Sequence, residues 1–363
     1  IVIDVFRGKV LSKIEEEISR VIEQISKGTP PSLTYPSTVS WDDLEFDVDQ
    51  GVQLRRNQRF TTVRFEAIQS VKKFGLMLKV LAIIYRLVKT DHYCTKRDMY
   101  YQASGDFGNQ HTLDGLVDNI SCMLGVPRWH LHVLASSKGC MAGDLRFQDV
   151  DNNFVDCRHT QMGILVPNHV NGMHNILYYS ASRANFILVV EKDATFQKLL
   201  ETRVCEKLDP CIVITGKGFP DVNTRMLLRR LWDQFAIPIL ALVDADPHGM
   251  EIMTVYKFGS RALAFETSNL AVPCMKWLGL LPSDIERLGI PATALLPLTK
   301  ADRDKGRDLL SRPYMTCLPH WREQVECMLQ LERKAELQSL DSISPSFLTD
   351  VYLPSKIRCA GWL

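Results

Sequence analysis

Two short apolar runs that each end at acidic residues constrain this chain more than any other feature. Residues 187–190 stop at Glu191, and residues 239–243 stop at Asp244 and Asp246. Short runs rich in β-branched residues are typical of strands that are buried on both faces of a parallel sheet. Helical patterns and a third apolar run separate them, and this alternation predicts an α/β fold. Since ligands bind at the carboxyl ends of strands in such sheets, we expect the three acids at the functional edge.

These three acids predict a metal site. Carboxylates that crowd together repel each other and need a cation. Mg²⁺ takes oxygen ligands and is often held by one or two carboxylates together with substrate phosphates. The alternative is that single acids cap the helices that follow, because Asp193 and Asp246 both precede helical patterns. For the three acids together, we favour a Mg²⁺ site formed by Glu191, Asp244 and Asp246.

The strings around the acids resemble a known module. Residues 189–196 read VVEKDATF, residues 214–221 read ITGKGFPD, and residues 242–252 read LVDADPHGMEI. They resemble a Toprim domain, the metal-binding module of topoisomerases, primases and some nucleases. With GLLPSD at residues 279–284, the chain resembles the family of topoisomerase VI A subunits and their eukaryotic relatives that make meiotic DNA double-strand breaks. The resemblance runs from about residue 68 to the C-terminus, and more loosely through the N-terminal helix.

A pair of tyrosines, Tyr100 and Tyr101, lies early on a predicted helix that Thr95 caps. Such a pair is usually part core and part surface, and a phenol with a pKa of ~10 must be activated before it attacks phosphate. Arg97 lies one helical turn before Tyr101 and on the same face. KRDMYY followed by FGNQ resembles the family's nucleophile motif, although the family more often has Ile or Phe in place of Met99. The resemblance implies that Tyr101 attacks DNA and that Tyr100 is structural.

Patterning divides the chain into four segments. Residues 1–30 predict an amphipathic helix that either packs on its own domain or docks on a partner, and residues 31–67 predict an irregular linker. Residues 68–165 predict helices followed by a hairpin, which indicates a winged-helix DNA-binding domain. Residues 170–363 predict a parallel sheet, which the resemblance identifies as a Toprim domain, with C-terminal helical decoration that includes a helix over residues 319–339. The predicted fold class is therefore mixed α/β, with an N-terminal helical winged-helix domain before the Toprim domain.

Four further residues are candidates for weaker DNA contacts. Arg128 and Lys138 lie near predicted turns and can bind backbone phosphates, although both suit ordinary surface positions. Lys217 lies in a Gly-Lys-Gly turn after a strand, where backbone N–H groups can cradle phosphate. His248 directly follows Asp246 and Pro247, where a structural role at the helix start is the alternative. No P-loop spacing is present, so any dependence on ATP is expected to come from a partner.

Composition narrows the class of protein. Apolar residues make up 46% and charged residues 23%, which is ordinary for a globular protein. No apolar run approaches the ~18 residues that a membrane span needs, so no membrane role is expected. A net charge of +1 does not indicate a nucleic-acid binder, although a groove can still be locally basic. The ten cysteines lack the spacing of a zinc site, so we expect them to be reduced thiols. The chain starts at Ile rather than Met, so we expect it to be a fragment of a longer protein.

These features together predict a DNA-cleaving transesterase. By resemblance, Tyr101 forms a 5′-phosphotyrosyl ester beside Mg²⁺, and because each chain offers one nucleophile, cutting double-stranded DNA needs a homodimer. The amino-acid sequence is more similar to the meiotic members of the family than to the topoisomerase subunits. This resemblance implies a nuclear protein that starts meiotic recombination with meiotic accessory proteins and a topoisomerase VI B-like subunit. Three alternatives stay open. They are a catalytically silent DNA-binding scaffold, a Toprim nuclease that uses water, and a topoisomerase VI A subunit that relaxes or decatenates DNA with an ATPase B subunit.

Overall fold

The computed structural model describes residues 2–38, 40–57, 59–102, 104–158, 160–177, 184–208 and 210–363. The chain divides into two compact units. The first unit comprises Ile1–Glu45, Val52–Ser136 and Arg261–Thr267, and the second comprises Phe46–Gly51, Ser137–Ser260 and Ser268–Leu363. The mixed α/β class that the sequence predicts is confirmed.

Helices dominate the first unit. Its helices are α1 (Val2–Ser26), α2 (Ile68–Thr90), α3 (Lys96–Gln102), α4 (Ser104–Phe107) and α5 (Gln110–Leu124), with 3₁₀ turns at Trp41–Asp43 and Arg128–Leu131. Its strands are β1 (Ser32–Pro36), β2 (Leu44–Asp47), β3 (Gly51–Leu54), β4 (Phe60–Arg64), β5 (Cys94–Thr95) and β6 (Val133–Leu134). The end of β2 and the first residue of β3 are assigned to the second unit, which includes Phe46–Gly51. The strands form three two-stranded pairs: β1 with β4, β2 with β3, and β5 with β6. The segment 31–67, which the sequence predicts to be an irregular linker, therefore contains four strands.

The N-terminal helix α1 packs on its own unit. Val10, Ile14 and Val21 on its apolar face are buried in the core that α2 and α5 also form. Ile22 and Ile25, which the sequence pattern places on the same stripe, remain exposed. Intramolecular packing, the first of the two alternatives for this helix, is thus observed over most of its length.

Local chemistry fixes where α3 and α5 begin and end. Thr95 and Asp98 form the expected reciprocal cap, in which the Asp98 N–H donates to Thr95 Oγ1 at 3.1 Å and the Thr95 N–H donates to Asp98 Oδ2 at 3.1 Å. Asn109 accepts from the Thr112 N–H at 2.8 Å to start α5. Gly125 ends α5 with a φ of +57°, a left-handed conformation that glycine adopts without a Cβ penalty.

A six-stranded sheet organises the second unit. Its order is β10-β7-β13-β12-β14-β15, and the four strands from β13 to β15 are parallel. All five residues of β12 are buried, because the sheet is covered on both faces. The strands of this unit are β7 (Cys140–Gly143), β8 (Arg146–Gln148), β9 (Phe154–Asp156), β10 (Ile164–Leu165), β11 (His174–Leu177), β12 (Phe186–Val190), β13 (Cys211–Thr215), β14 (Ile239–Leu242), β15 (Lys276–Gly279), β16 (Leu296–Pro297) and β17 (Arg333–Lys334).

Helices α6 to α13 connect and cover these strands. They are α6 (Asp193–Glu201), α7 (Val204–Lys207), α8 (Val222–Phe235), α9 (Pro247–Phe258), α10 (Pro282–Arg287), α11 (Lys300–Ser311), α12 (Pro319–Leu331) and α13 (Leu353–Arg358). The remaining helical elements are a π-helix at Leu348–Tyr352 and 3₁₀ turns at Val170–Gly172, Arg261–Asn269, Ala292–Ala294, Pro313–Cys317 and Leu337–Ser342. Within the described ranges, no helix is both long enough and apolar enough to cross a bilayer.

Two predicted boundaries differ from the structure. The predicted hairpin forms as β8 paired antiparallel with β9, but it belongs to the second unit, because the preceding strand β7 pairs with β13 of the large sheet. The division thus falls at Ser136 rather than at residue 165. The helix predicted over residues 319–339 ends at Leu331, because Glu332 takes a φ of +51° and β17 then pairs with β16. Residues 178–183 of the predicted Toprim segment lie outside the described part of the chain.

Candidate metal centre and nucleophile

The three predicted acids follow two adjoining strands. Glu191 comes directly after β12, and Asp244 comes two residues after β14. Because β12 and β14 are parallel neighbours, their carboxyl ends meet at one edge. The structure brings these two acids into contact, since Glu191 Oε2 accepts from the Asp244 N–H at 2.9 Å.

Both acids are buried, and burial makes their charges costly. Glu191 is 8% exposed and Asp244 is 1% exposed. Burial and then the charge of Asp244 raise the pKa of Glu191 to about 7. Burial likewise raises the pKa of Asp244, although the hydrogen bond from Lys192 opposes the shift. The edge therefore favours a bound cation.

Asp246, the third acid, also caps a helix. Its carboxylate accepts from the Gly249 N–H at 2.6 Å at the start of α9, so the capping alternative holds for this residue. A Cβ on Gly249 would lie 2.7 Å from the Asp244 carbonyl oxygen and 2.8 Å from Glu191 Oε2. The first turn of α9 thus packs directly on the other two acids, and only glycine fits there.

Lys192 and a C-terminal segment complete the centre, and neither was predicted from the sequence. Lys192 Nζ lies 2.7 Å from Asp244 Oδ2 and 3.0 Å from Glu336 Oε1. Asp244 Oδ1 accepts from the Leu337 N–H at 2.8 Å. The position of Lys192 directly after Glu191 was a usable signal, because a basic residue beside buried acids is a natural counter-ion. Glu336 carried no signal, since it is far along the chain and lies within the segment that the pattern predicts to be helical.

The chemistry of the acids fits a divalent cation. Among the residues that the structure describes, no three His, Cys, Asp or Glu side chains are arranged to hold a metal. Each acid instead contacts a donor of the protein: Glu191 contacts a backbone N–H, Asp244 contacts Lys192 and Leu337, and Asp246 contacts Gly249. Even so, carboxylate oxygens at adjoining strand ends are the kind of ligand set that Mg²⁺ takes.

Two of the predicted DNA contacts lie beside this centre. The loop after β13 carries Lys217 with a φ of +53°, and the Gly218 N–H donates to the Glu191 carbonyl oxygen at 2.8 Å. Lys138 Nζ donates to the Lys217 carbonyl oxygen at 3.1 Å, and Lys217 Nζ lies 3.4 Å from Asp193 Oδ1. Lysine charge therefore lines one side of the acidic edge, where it can contact an anionic substrate.

The other two predicted DNA contacts, His248 and Arg128, each lie close to an acidic side chain. His248 is partly exposed on α9, and its Nε2 lies 3.7 Å from Asp302 Oδ1. Arg128 belongs to the first unit, is largely buried, and lies 3.7 Å from Asp118 Oδ1. The ion pair of Arg128 favours a structural role, whereas His248 still offers an exposed ring.

Tyr101 lies on the solvent side of α3 in the first unit and is 70% exposed. Met99 is buried beneath the helix, so the sulfur side chain occupies the packed face. Tyr100 packs against the core, and its O–H donates to the Gly108 carbonyl oxygen at 3.4 Å. Arg97, one turn before Tyr101, is exposed and makes no hydrogen bond or ion pair to any described residue. The helix therefore presents one phenol and one guanidinium to solvent and keeps the second tyrosine for packing.

Comparisons with known proteins identify related chains. The family model for the Toprim domain of the topoisomerase 6 A subunit and Spo11 matches residues 186–357, and the family model described as "Type IIB DNA topoisomerase" matches residues 72–133. The meiotic recombination protein SPO11 of Mus musculus is 46% identical over 356 residues, which cover 98% of this chain and 89% of that protein. Human SPO11 is 45% identical over the same shares, and the A subunit of DNA topoisomerase 6 from Arabidopsis thaliana is 36% identical over 98% of this chain and 81% of its own.

Toprim domains generally bind divalent metal ions, as the acids of the second unit lead one to expect. The two family models and the near full-length relatives cover both units of the chain. This chain belongs to the family of topoisomerase VI A subunits and SPO11 meiotic recombination proteins.

Proposed function

We propose that this protein cleaves double-stranded DNA by transesterification, with Tyr101 as the nucleophile, and thereby starts meiotic recombination in the nucleus. The observation that carries the proposal is the exposure of Tyr101 on a helix whose other apolar and aromatic side chains, Met99 and Tyr100, are packed. A solvent-facing phenol on a rigid helix is available to a substrate as large as DNA. Family membership supports the same chemistry and the same chromosomal setting.

The proposed step exchanges one phosphate ester for another. Tyr101 Oη forms a bond to a backbone phosphorus and loses its proton, while the bond from that phosphorus to the 3′ oxygen of the preceding nucleotide breaks and the oxygen takes up a proton. The products are a 5′-phosphotyrosyl ester and a free 3′-hydroxyl. Arg97 faces solvent one turn away and is placed to contact the phosphate, since guanidinium binds phosphate oxygens with paired N–H groups.

Glu191, Asp244 and Asp246 would hold Mg²⁺, which when bound supplies positive charge for the phosphate and for the leaving oxygen. Glu191 and Asp244 set the position by their contact across the two strand ends, and Gly249 keeps α9 close to them. Lys217 and Lys138 supply fixed positive charge for the DNA backbone nearby, with His248 as a further contact. Arg128 contributes to DNA binding only if its ion pair with Asp118 opens.

A double-strand break requires two chains, because each offers one nucleophile. We propose a homodimer in which Tyr101 of one chain acts with the acids of the other, assisted by meiotic accessory proteins and a topoisomerase VI B-like subunit. Mixed dimers of Tyr101→Phe and Glu191→Gln chains test the arrangement. They should nick one strand, because one composite site stays intact. If they leave both strands whole while wild-type dimers cut, each chain uses its own acids.

Covalent trapping tests the function itself. Wild type, Tyr100→Phe, Tyr101→Phe and Asp244→Asn are incubated with short duplex DNA and Mg²⁺, with and without the B-like partner, and then denatured. We expect protein-linked DNA for wild type and Tyr100→Phe, and none for the other two. Cleaved DNA without any adduct would mean a water-using nuclease, and tight binding without cleavage would mean a scaffold. ATP-dependent strand passage with the partner would mean a topoisomerase VI A subunit, the name that the Arabidopsis thaliana relative carries.

A further inference from the structure

A short C-terminal segment, Ala335–Asp341, crosses the edge of the sheet at the acids, and we name it the strap. Ala335 forms a two-way backbone bridge with Ala245, with N···O distances of 2.9 Å and 3.2 Å. The next backbone contact, from the Leu337 N–H, reaches the carboxylate of Asp244. Ala335 and Leu337 are both buried, so the strap is part of the core of its unit.

The strap is also attached to α6, the helix that starts beside Glu191. Lys198 Nζ lies 2.6 Å and 2.7 Å from the two carboxylate oxygens of Asp341. Gln338 Nε2 donates to Thr195 Oγ1 at 3.4 Å. Glu336 lies between these anchors and the bridge to Ala245. The backbone at Glu336 is therefore held beside Lys192 by contacts that do not involve Lys192.

Lys192 is shared by two acids in very different surroundings. Asp244 is buried, whereas the side chain of Glu336 is 49% exposed. The ammonium group itself is partly exposed, with 32% of the Lys192 side chain open to solvent. A buried carboxylate without a partner costs several kcal/mol, while a half-exposed one is solvated by water. Asp244 is therefore the partner that needs a cation, and Glu336 is the partner that can lose one.

We propose that Lys192 is an internal counter-ion that occupies Asp244 until a divalent cation replaces it, and that Glu336 then retains the displaced ammonium group. The proposal rests on the proposed metal site at Glu191, Asp244 and Asp246. A cation that binds Asp244 Oδ2 and the ammonium group of Lys192 compete for the same oxygen. Because Glu336 already lies 3.0 Å from Lys192 Nζ, the exchange needs little movement and leaves no charge unpaired. Glu336 is thus a positioning residue that acts through Lys192.

Binding of Mn²⁺ to the full chain, followed by electron paramagnetic resonance without DNA, tests this exchange. Lys192→Met removes the competitor and should tighten Mn²⁺ binding by on the order of tenfold, as a lost partly buried ion pair implies. Glu336→Gln removes the alternative partner, leaves Lys192 on Asp244, and should weaken binding by about two- to fivefold. In the Lys192→Met background, Glu336→Gln should have no further effect. Asp350→Asn is the matched control, because it removes a half-exposed acid of the same unit that pairs with Lys207 and lies outside the strap, and it should bind as wild type does.

The outcomes separate this inference from the metal site on which it rests. If wild type binds Mn²⁺ no better than Asp244→Asn, the metal site itself is refuted. If wild type binds and Asp244→Asn does not, unchanged or weaker binding in Lys192→Met refutes the counter-ion alone. An equal loss from Glu336→Gln in both backgrounds would make Glu336 a direct ligand and overturn the exchange. Glu336→Gln is at a half-exposed position and keeps the test open even where Lys192→Met does not fold.

Discussion

The metal-free protein should lose stability as Glu191 ionises. Its folded-state pKa of about 7 lies above the ordinary value of 4.5, because burial and the charge of Asp244 disfavour the carboxylate. A carboxyl group with a raised folded-state pKa binds its proton more tightly in the folded protein. The free energy of unfolding therefore falls as pH rises from 4.5 to about 7 and is level above that.

The magnitude follows from the two pKa values. At about 1.4 kcal/mol for each pH unit, the difference corresponds to about 3 kcal/mol of lost stability above neutral pH. Glu191→Gln removes the ionisation and keeps an oxygen that can accept from the Asp244 N–H. In EDTA, the variant should be more stable than wild type by about that amount near pH 8 and equal to it near pH 4.

Urea denaturation of the full chain in EDTA, across this pH range, measures the effect. Glu201→Gln is the matched control, because Glu201 ends α6 on the exposed surface of the same unit, and it should follow wild type throughout. Mg²⁺ should restore stability to wild type at high pH but not to Glu191→Gln. Parallel pH profiles for wild type and Glu191→Gln would refute the reasoning that the centre is short of positive charge.

Three further predictions concern individual positions. Tyr101→Phe should change the free energy of unfolding by less than about 0.5 kcal/mol, because the side chain is exposed. Met99→Ala, on the buried face of the same helix, should cost about 2–5 kcal/mol in chemical denaturation. Equal losses would contradict the placement of Tyr101 on the exposed face and Met99 on the buried face. Gly249→Ala should lower the free energy of unfolding by about 1–3 kcal/mol, measured by calorimetry, and weaken Mn²⁺ binding, since its Cβ would meet Glu191 and Asp244. Unchanged Mn²⁺ binding would show that α9 can move away from the two acids. Asn109→Ala should cost about 1 kcal/mol in urea, with Asn109→Asp restoring most of it as the rescue of the α5 cap.

Sequence predicted well where the chemistry is local. The strands before Glu191 and Asp244 fall where the apolar runs stop, because a strand buried on both faces must be apolar along its length. The cap at Thr95 and the stop at Gly125 also follow from residues within one helical turn. The contact between Glu191 and Asp244 could be expected because parallel neighbours end at one edge.

Sequence failed where distant segments meet. The predicted helix over residues 319–339 extends too far, into the strap, because periodicity does not report that β17 pairs with β16 or that Ala335 bridges to Ala245. The hairpin β8–β9 was predicted correctly but assigned to the first unit, because its membership depends on β7 joining the large sheet. Partners such as Lys192 and Glu336 are contacts of the folded chain, and residue types alone do not pair them.

Mapping the covalent bond tests the central claim most directly. Wild-type protein is reacted with duplex DNA and Mg²⁺ alongside its B-like partner, and the denatured adduct is digested with protease and nuclease and sequenced by mass spectrometry. The account predicts a nucleotide joined through its 5′-phosphate to Tyr101 within the peptide that contains KRDMYY, and a 3′-hydroxyl on the other DNA end. A phosphate attached to Tyr100 or to any other residue, or a 3′-linked nucleotide, would contradict it.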